Sequence, residues 1–172
     1  MAKKKKTPYD SHHEPRIFPK GFLWGTATSS YQVEGGNKNS DWWKWEKEEG
    51  KVSDGTRSGN GVDHYNRYKE DFDIAQDRLH NNSHRLSLEW SRLEPNEGEW
   101  DEREFDHYRA VLMDLKKRNM TVMLTIHHFT NPQWLFEKGG WEKRYVIKRY
   151  LRFVEKVTAE LGEYVDLWCT IN

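Results

Sequence analysis

Residues 121–131 read T-V-M-L-T-I-H-H-F-T-N. The run opens with branched and apolar residues and shows no helical period. Such a pattern predicts a strand buried on both faces, as in a parallel sheet. It ends abruptly in His127, His128 and Phe129 and then turns at Asn131-Pro132. A buried strand that delivers two imidazoles and an aromatic ring to its C-terminal end is how a (β/α) barrel builds a site. The last residues repeat the design: Leu167-Trp168-Cys169-Thr170-Ile171 reads as a strand, with Asn172 at its tip.

Working outward, the same alternation recurs. Phe22-Leu23-Trp24 begins a first strand, and the small residues of 25–30 let other groups approach closely. Gln32 and Glu34 follow near its end. Residues 41–49 predict a short helix before Gly50, and 51–61 reads as loop. From Asp63, the stripe Tyr65, Tyr68, Phe72, Ala75 and Leu79 predicts a helix packed on a core. Residues 83–89 predict a second strand carrying Arg85. Asp101-x-x-Glu104 resembles a capping box ahead of the stripe Phe105, Tyr108, Leu112 and Leu115. That helix ends in a basic turn suited to its dipole. After Pro132, 133–141 is loop or a short helical piece. Val146, Tyr150, Phe153, Val157 and Leu161 mark a last helix closed by Gly162. The order β-α-β-α-β-α-β argues for a parallel sheet with right-handed crossovers. The rival, a small doubly wound sheet, would need a Gly-rich phosphate loop, and neither G-x-G-x-x-G nor G-K-S/T occurs.

Composition narrows the function. At 172 residues the chain suffices for one domain. Its 28 basic and 28 acidic side chains cancel, which gives no electrostatic reason to expect nucleic acid or an anionic membrane. No apolar run approaches the roughly 20 residues that span a bilayer, so a cytoplasmic protein is expected. Nine Trp are available for cores and for clefts that bind sugars or other flat ligands. The single Cys169 permits no internal disulfide and no Cys-based zinc site; it reads as buried strand packing. Residues 1–16, with a Lys3–Lys6 block, read as a disordered basic and polar tail. His12 and His13 have no spaced partner for a metal. His127 and His128 point to opposite faces of a strand and cannot easily share an ion. No metal or cofactor is expected. Arg85 inside a barrel strand demands an anionic partner, and the sequence offers none beside it.

Four stretches carry a resemblance: F-P-K-G-F-L-W-G-T-A-T-S-S-Y-Q-V-E-G-G, H-R-L-S-L-E-W-S-R-L-E-P, T-I-H-H-F-T-N-P and L-W-C-T-I-N. In their order and spacing they resemble glycoside hydrolase family 1, the β-glucosidases and related retaining β-glycosidases. The resemblance implies a TIM (β/α)8 barrel, of which 17–172 would be the N-terminal half with about four parallel strands. It implies that Gln32 and His128 bond sugar hydroxyls, that Asn172 holds the 2-hydroxyl, and that Arg85 pairs with the nucleophilic carboxylate. The acid/base Glu would come immediately after Asn172 and the nucleophilic Glu on a late strand, so the chain alone is expected to be inactive. Glu34, Glu89 and Glu94 align with neither. Phe129 stands where many members carry Trp, and Phe cannot donate a hydrogen bond. The resemblance selects His128 as the barrel-facing imidazole and leaves His127 packed or helix-facing. The expected partners are a β-linked sugar and either the missing C-terminal half or a second copy. The alternative is a non-catalytic half-barrel that self-associates or binds carbohydrate, since its two sheet edges are open.

Overall fold

The computed structural model describes residues 17–172; the tail read over 1–16 lies outside them. Four strands, β1 (Gly25–Ala27), β2 (Ser83–Ser87), β3 (Thr121–His127) and β4 (Leu167–Ile171), form one sheet in the order β1-β2-β3-β4. All three pairings are parallel, with Gly25 opposite Ser83, Ser83 opposite Thr121 and Met123 opposite Leu167. Two short helices, α1 (Ser30–Val33) and α2 (Asp41–Trp45), follow β1. Helix α3 (His64–Asp73) leads to β2, then α4 (Trp90–Leu93) and α5 (Glu102–Lys117) lead to β3. Helices α6 (Gln133–Glu137) and α7 (Tyr145–Leu161) close the last crossover.

The core lies between one face of the sheet and the long helices. Leu86, Val122, Leu124 and Ile126 meet Phe105, Leu112 and Leu115 of α5 and Phe153, Val157 and Leu161 of α7, all buried. Trp90 stacks on Phe153 with ring centroids 4.6 Å apart. Each such side chain contributes roughly 1.5–3 kcal/mol through the apolar surface it removes from water. Little covers the opposite face at β4, where only Cys169 is even half-buried.

Several local expectations are corrected. The first strand is built from Gly25, Thr26 and Ala27, whereas Phe22, Leu23 and Trp24 precede it and are exposed. Close strand approach explains this: a Cβ on Gly25 would sit 2.4 Å from Ser83 Oγ. Helix α2 ends at Trp45, short of residue 49, after Ser40 Oγ accepts from the Trp43 N–H at 3.2 Å. The second strand ends at Ser87, and Glu89 becomes the cap of α4. Asp101 caps α5 through the Arg103 N–H, but the reciprocal half of the capping box is absent. Glu104 instead accepts from Tyr65 Oη at 3.0 Å. Residues Ile74–Arg78 continue α3 as a π-helical turn, whose wider winding shifts the apolar stripe. Phe72 and Ala75 stay buried while Leu79 emerges, 56% exposed. Gly162 closes α7 at φ −60°, without a left-handed cap, and leads into a 3-10 turn. Cys169 is half-exposed, not core, because β4 is an edge strand exposed along both faces.

His84 on β2 is buried beside Phe72, with Nδ1 2.8 Å from Thr26 Oγ1. Burial pushes its imidazole down to about 4 from 6.5. Above pH 6.5 folded and unfolded states both hold it neutral, and its contribution to stability is whole. As pH falls from 6.5 to 4 only the unfolded state takes up the proton, so stability drops by up to about 3 kcal/mol. Urea unfolding across this range should show the loss, and His84→Asn should flatten it.

Candidate functional site

The site forms where the C-terminal ends of the strands meet the loops that leave them. Arg85 projects from β2 toward β3 and β4. Its Nε donates to Thr125 Oγ1 at 2.8 Å and its Nη2 to Asn172 Oδ1 at 2.6 Å. The Nη2 also lies 4.0 Å from Cys169 Sγ. These partners are neutral; among the described residues no carboxylate pairs with this guanidinium. Arg85 is only half-buried, which lets water share its solvation. Asn172 holds its place through its backbone N–H, which donates to His127 O at 3.0 Å. Its amide Nδ2 approaches His128 Nε2 at 3.5 Å. The fold thus brings Arg85, Asn172 and His128 into one connected group.

Burial lowers the pKa of His128, and the nearby Arg85 charge lowers it further. The ring is therefore neutral at pH 7, one nitrogen donating and the other accepting, which suits a hydroxyl. His127 turns to the helix side. It packs 4.9 Å from Trp141 and 6.2 Å from Tyr150, with Nε2 3.1 Å from Asn131 Oδ1.

Gln32 stands apart from the trio. It sits exposed on α1, its Oε1 accepting from Ser29 Oγ. It lines a cleft of about 320 Å³ with Tyr31, Trp42, Trp45 and Phe129. Phe129 joins this cleft to the trio: its ring is 5.2 Å from that of His128 and 4.9 Å from that of Trp42.

The loop after β3 is clamped by two buried acids. Asp41 accepts from Asn131 N at 2.9 Å and Asn131 Nδ2 at 2.8 Å. Glu89 accepts from Thr130 Oγ1 at 3.0 Å and Ser91 Oγ at 2.7 Å. Burial raises the pKa of both, and these hydrogen bonds pull against it. Glu34 pairs with Arg92 at 3.0 Å and accepts from Tyr108 Oη at 2.7 Å. Its burial pushes the carboxyl up to about 7, against the pull of Arg92 and Tyr108. Glu94 accepts from Trp90 Nε1 at 2.8 Å and Gly98 N at 2.7 Å, and pairs with Arg152. All three Glu side chains are thus tied into the scaffold. The sequence reading missed the clamp and the aromatic cleft. The repeated Trp of D-W-W-K-W was the one signal for the cleft; nothing local announced that Asp41 would meet Asn131.

A parallel β/α sheet with polar side chains gathered at its strand ends defines a partial (β/α) barrel. The chain belongs to glycosyl hydrolase family 1, whose profile matches residues 14–172. It is 34% identical over 161 residues to a 1,4-beta-D-glucan glucohydrolase of Thermotoga neapolitana, covering 90% of this chain and 38% of that one. Among solved structures it superposes on a beta-glucosidase from Thermotoga maritima in complex with castanospermine, at TM-score 0.86 and 34% identity, covering 90% of this chain and 36% of that one. A beta-glycosidase from Pyrococcus horikoshii matches at TM-score 0.80 and 39% identity, covering 90% and 36%. The chain therefore spans little more than a third of the length of these relatives. No helix among the described residues is long and apolar enough to cross a membrane.

Removing the clamp should loosen the loop that carries His128. Asp41→Ala leaves Asn131 with unpaired donors and should cost about 2–4 kcal/mol. Hydrogen exchange should show protection lost at the 128–131 amides while α5 stays protected.

Proposed function

We propose that this chain is the N-terminal part of a retaining β-glycosidase barrel, contributing sugar-holding residues to a site completed elsewhere. The observation that carries the reading is the group Arg85–Asn172–His128 at the strand ends, with a guanidinium that has only neutral partners among the described residues. Asn172 and His128 would hold hydroxyls of the ring under attack, with Gln32 and Phe129 on its flank. Arg85 would neutralise and orient the nucleophilic carboxylate once that group is supplied.

Retaining hydrolysis needs two carboxyl groups about 5–5.5 Å apart, one attacking the anomeric carbon and one protonating the leaving oxygen. Glu34, Glu89 and Glu94 are unsuited to either role: each is buried and saturated by donors within the scaffold. On this reading both carboxylates come from the remaining part of the barrel, and 17–172 is a half-barrel domain that turns over nothing alone. The substrate class, β-linked glucosides, is supported by the beta-glucosidases among its relatives. A cytoplasmic setting belongs to the same reading and fits the single unpaired thiol.

The test is reconstitution. The chain is co-expressed with a polypeptide covering the rest of a family 1 barrel and assayed on an aryl β-glucoside. Activity should appear only in the mixture, and Arg85→Ala should lower kcat by at least about a hundredfold, the scale for lost electrostatic stabilisation. Turnover by the chain alone, or a folded and inactive mixture, would overturn the reading.

A further inference from the structure

Strand β4 carries Asn172 at its tip, yet little packing holds it. Among the described residues only β3 pairs with it, and Leu167, Trp168 and Ile171 are exposed. Side chains pin it at both ends instead. Just before the strand, Asp166 N donates to Val122 O at 3.0 Å and Asp166 Oδ2 accepts from Val122 N at 2.8 Å. Lys116 of α5 donates to Asp166 Oδ1 at 2.7 Å. At the far end, Tyr150 of α7 donates its hydroxyl to Thr170 O. Among the described residues, Tyr150 is the one side chain from outside β4 that bonds the backbone of this strand. The ring itself is set among other rings, with centroids 5.8 Å from Trp90, 5.3 Å from Trp141 and 6.2 Å from His127. Burial pushes the phenol up to about 12 from 10.0, so the hydroxyl remains a donor at neutral pH.

We propose that Tyr150 is a positioning residue for the strand-end group: its hydroxyl fixes the tip of β4 and so sets where the Asn172 carboxamide stands. The bonded carbonyl lies two residues before Asn172, beside the rung where Ile171 pairs with His127 and the Asn172 N–H donates to His127 O at 3.0 Å. A small slip of that rung carries Asn172 Oδ1 away from Arg85 Nη2, now 2.6 Å distant, and Nδ2 away from the His128 ring. Hydrogen bonds weaken steeply once their geometry is lost. Packing offers β4 little resistance to such a slip, since only Cys169 is even half-buried. A Phe at 150 would keep the ring contacts; what the hydroxyl adds is directed at β4 alone. Arg85 has a second hold, its Nε donating to Thr125 Oγ1 at 2.8 Å, so Asn172 is the member that depends most on the tether. The consequence for a ligand rests on the sugar-binding reading above. Asn172 there meets the 2-hydroxyl of the ring, and Tyr150 acts through that contact.

The first test uses this chain without sugar. Tyr150→Phe keeps the ring and removes the tether. Exchange of the Asn172 backbone N–H should quicken about tenfold, the upper end for one neutral hydrogen bond. The NMR signals of the Asn172 carboxamide and the Arg85 Nε–H should shift, while the amides of α5 and α7 keep their protection. The wild type gives a reading that needs no variant: a Tyr150 hydroxyl proton in slow exchange and in nuclear Overhauser contact with Thr170. Its absence, or unchanged Asn172 signals in the folded variant, overturns the proposal. The second test uses the reconstituted mixture. Tyr150→Phe should lower kcat on an aryl β-glucoside about tenfold, and on the 2-deoxy analogue by less than about twofold. Beside Asn172→Ala it should have no further effect, because both act through one contact. Equal losses on the two substrates, or additive losses with Asn172→Ala, overturn the positioning role in favour of a purely structural tyrosine. An inactive mixture counts instead against the glycosidase reading, and the exchange and NMR results then decide the role of Tyr150.

Discussion

One buried carboxyl group organises the end of the sheet on which the site is built. The Glu89 carboxylate is fully buried. It collects Ser30 Oγ at 3.4 Å and Asn37 Nδ2 at 3.4 Å from the segment after β1, Ser91 Oγ at 2.7 Å from α4, and Thr130 Oγ1 at 3.0 Å from the loop after β3. A carboxylate taken out of water is costly unless several donors replace its hydration. Each donor is therefore held in place by the expense of losing it. Three connections that are far apart in sequence are drawn to one point, and Asp41 repeats the device by accepting twice from Asn131. His128 and Phe129 thus stand on a loop fixed from beneath, an arrangement that holds side chains in one geometry.

The two faces of the sheet follow opposite rules. On the helix side, Leu86, Val122, Leu124 and Ile126 are sealed by α5 and α7, and stability is a matter of apolar area. On the other side, Arg85 finds a hydroxyl, an amide oxygen and a thiol. Neutral acceptors suffice for a cation that water still reaches. They would not suffice if the face were closed over, because the guanidinium would then be a charge without a counterion. A carboxylate arriving as the face closes would meet a donor already aligned by Thr125 and Asn172, so the electrostatic gain would require little rearrangement.

The barrel-like order of elements was legible because it depends on pattern. Residues 121–127 are too continuously apolar for an exposed strand, and the stripes over 105–115 and 146–161 keep helical spacing. What misled were features set by neighbours in space. Phe22, Leu23 and Trp24 look like a strand, yet pairing starts at Gly25 because only a residue without Cβ fits against Ser83. Leu79 continues a perfect stripe, yet the π turn at Ile74–Arg78 rotates it outward. Asp101 and Glu104 have the spacing of a capping box, yet Tyr65 and Arg92 compete for Glu104 and win. At the site, His128 and Asn172 lie at strand ends and Arg85 within β2, and it was the family resemblance, not position, that singled them out. Trp42 and Trp45 could not be told from core tryptophans, since exposure depends on where α2 is tied down.

Phe129 shows why the clamp and the site are one design. It has φ 51°, a left-handed conformation that bulky side chains seldom adopt. The turn is closed by the Thr130 N–H donating to His128 O at 2.7 Å. Such a backbone costs about 1–3 kcal/mol and persists only where the surroundings enforce it. Thr130 on Glu89 and Asn131 on Asp41, the next two residues, supply that enforcement. Alternation along the strand already separates His127 from His128, and the strained turn then redirects the next side chain. His127 goes into the helix layer, His128 goes to Asn172, and Phe129 reaches across to Trp42. An extended residue at 129 would carry its ring elsewhere and separate the imidazole from the aromatic wall. The buried acids therefore set more than stability: by holding one unfavourable dihedral, they keep the strand-end imidazole beside the aromatic cleft.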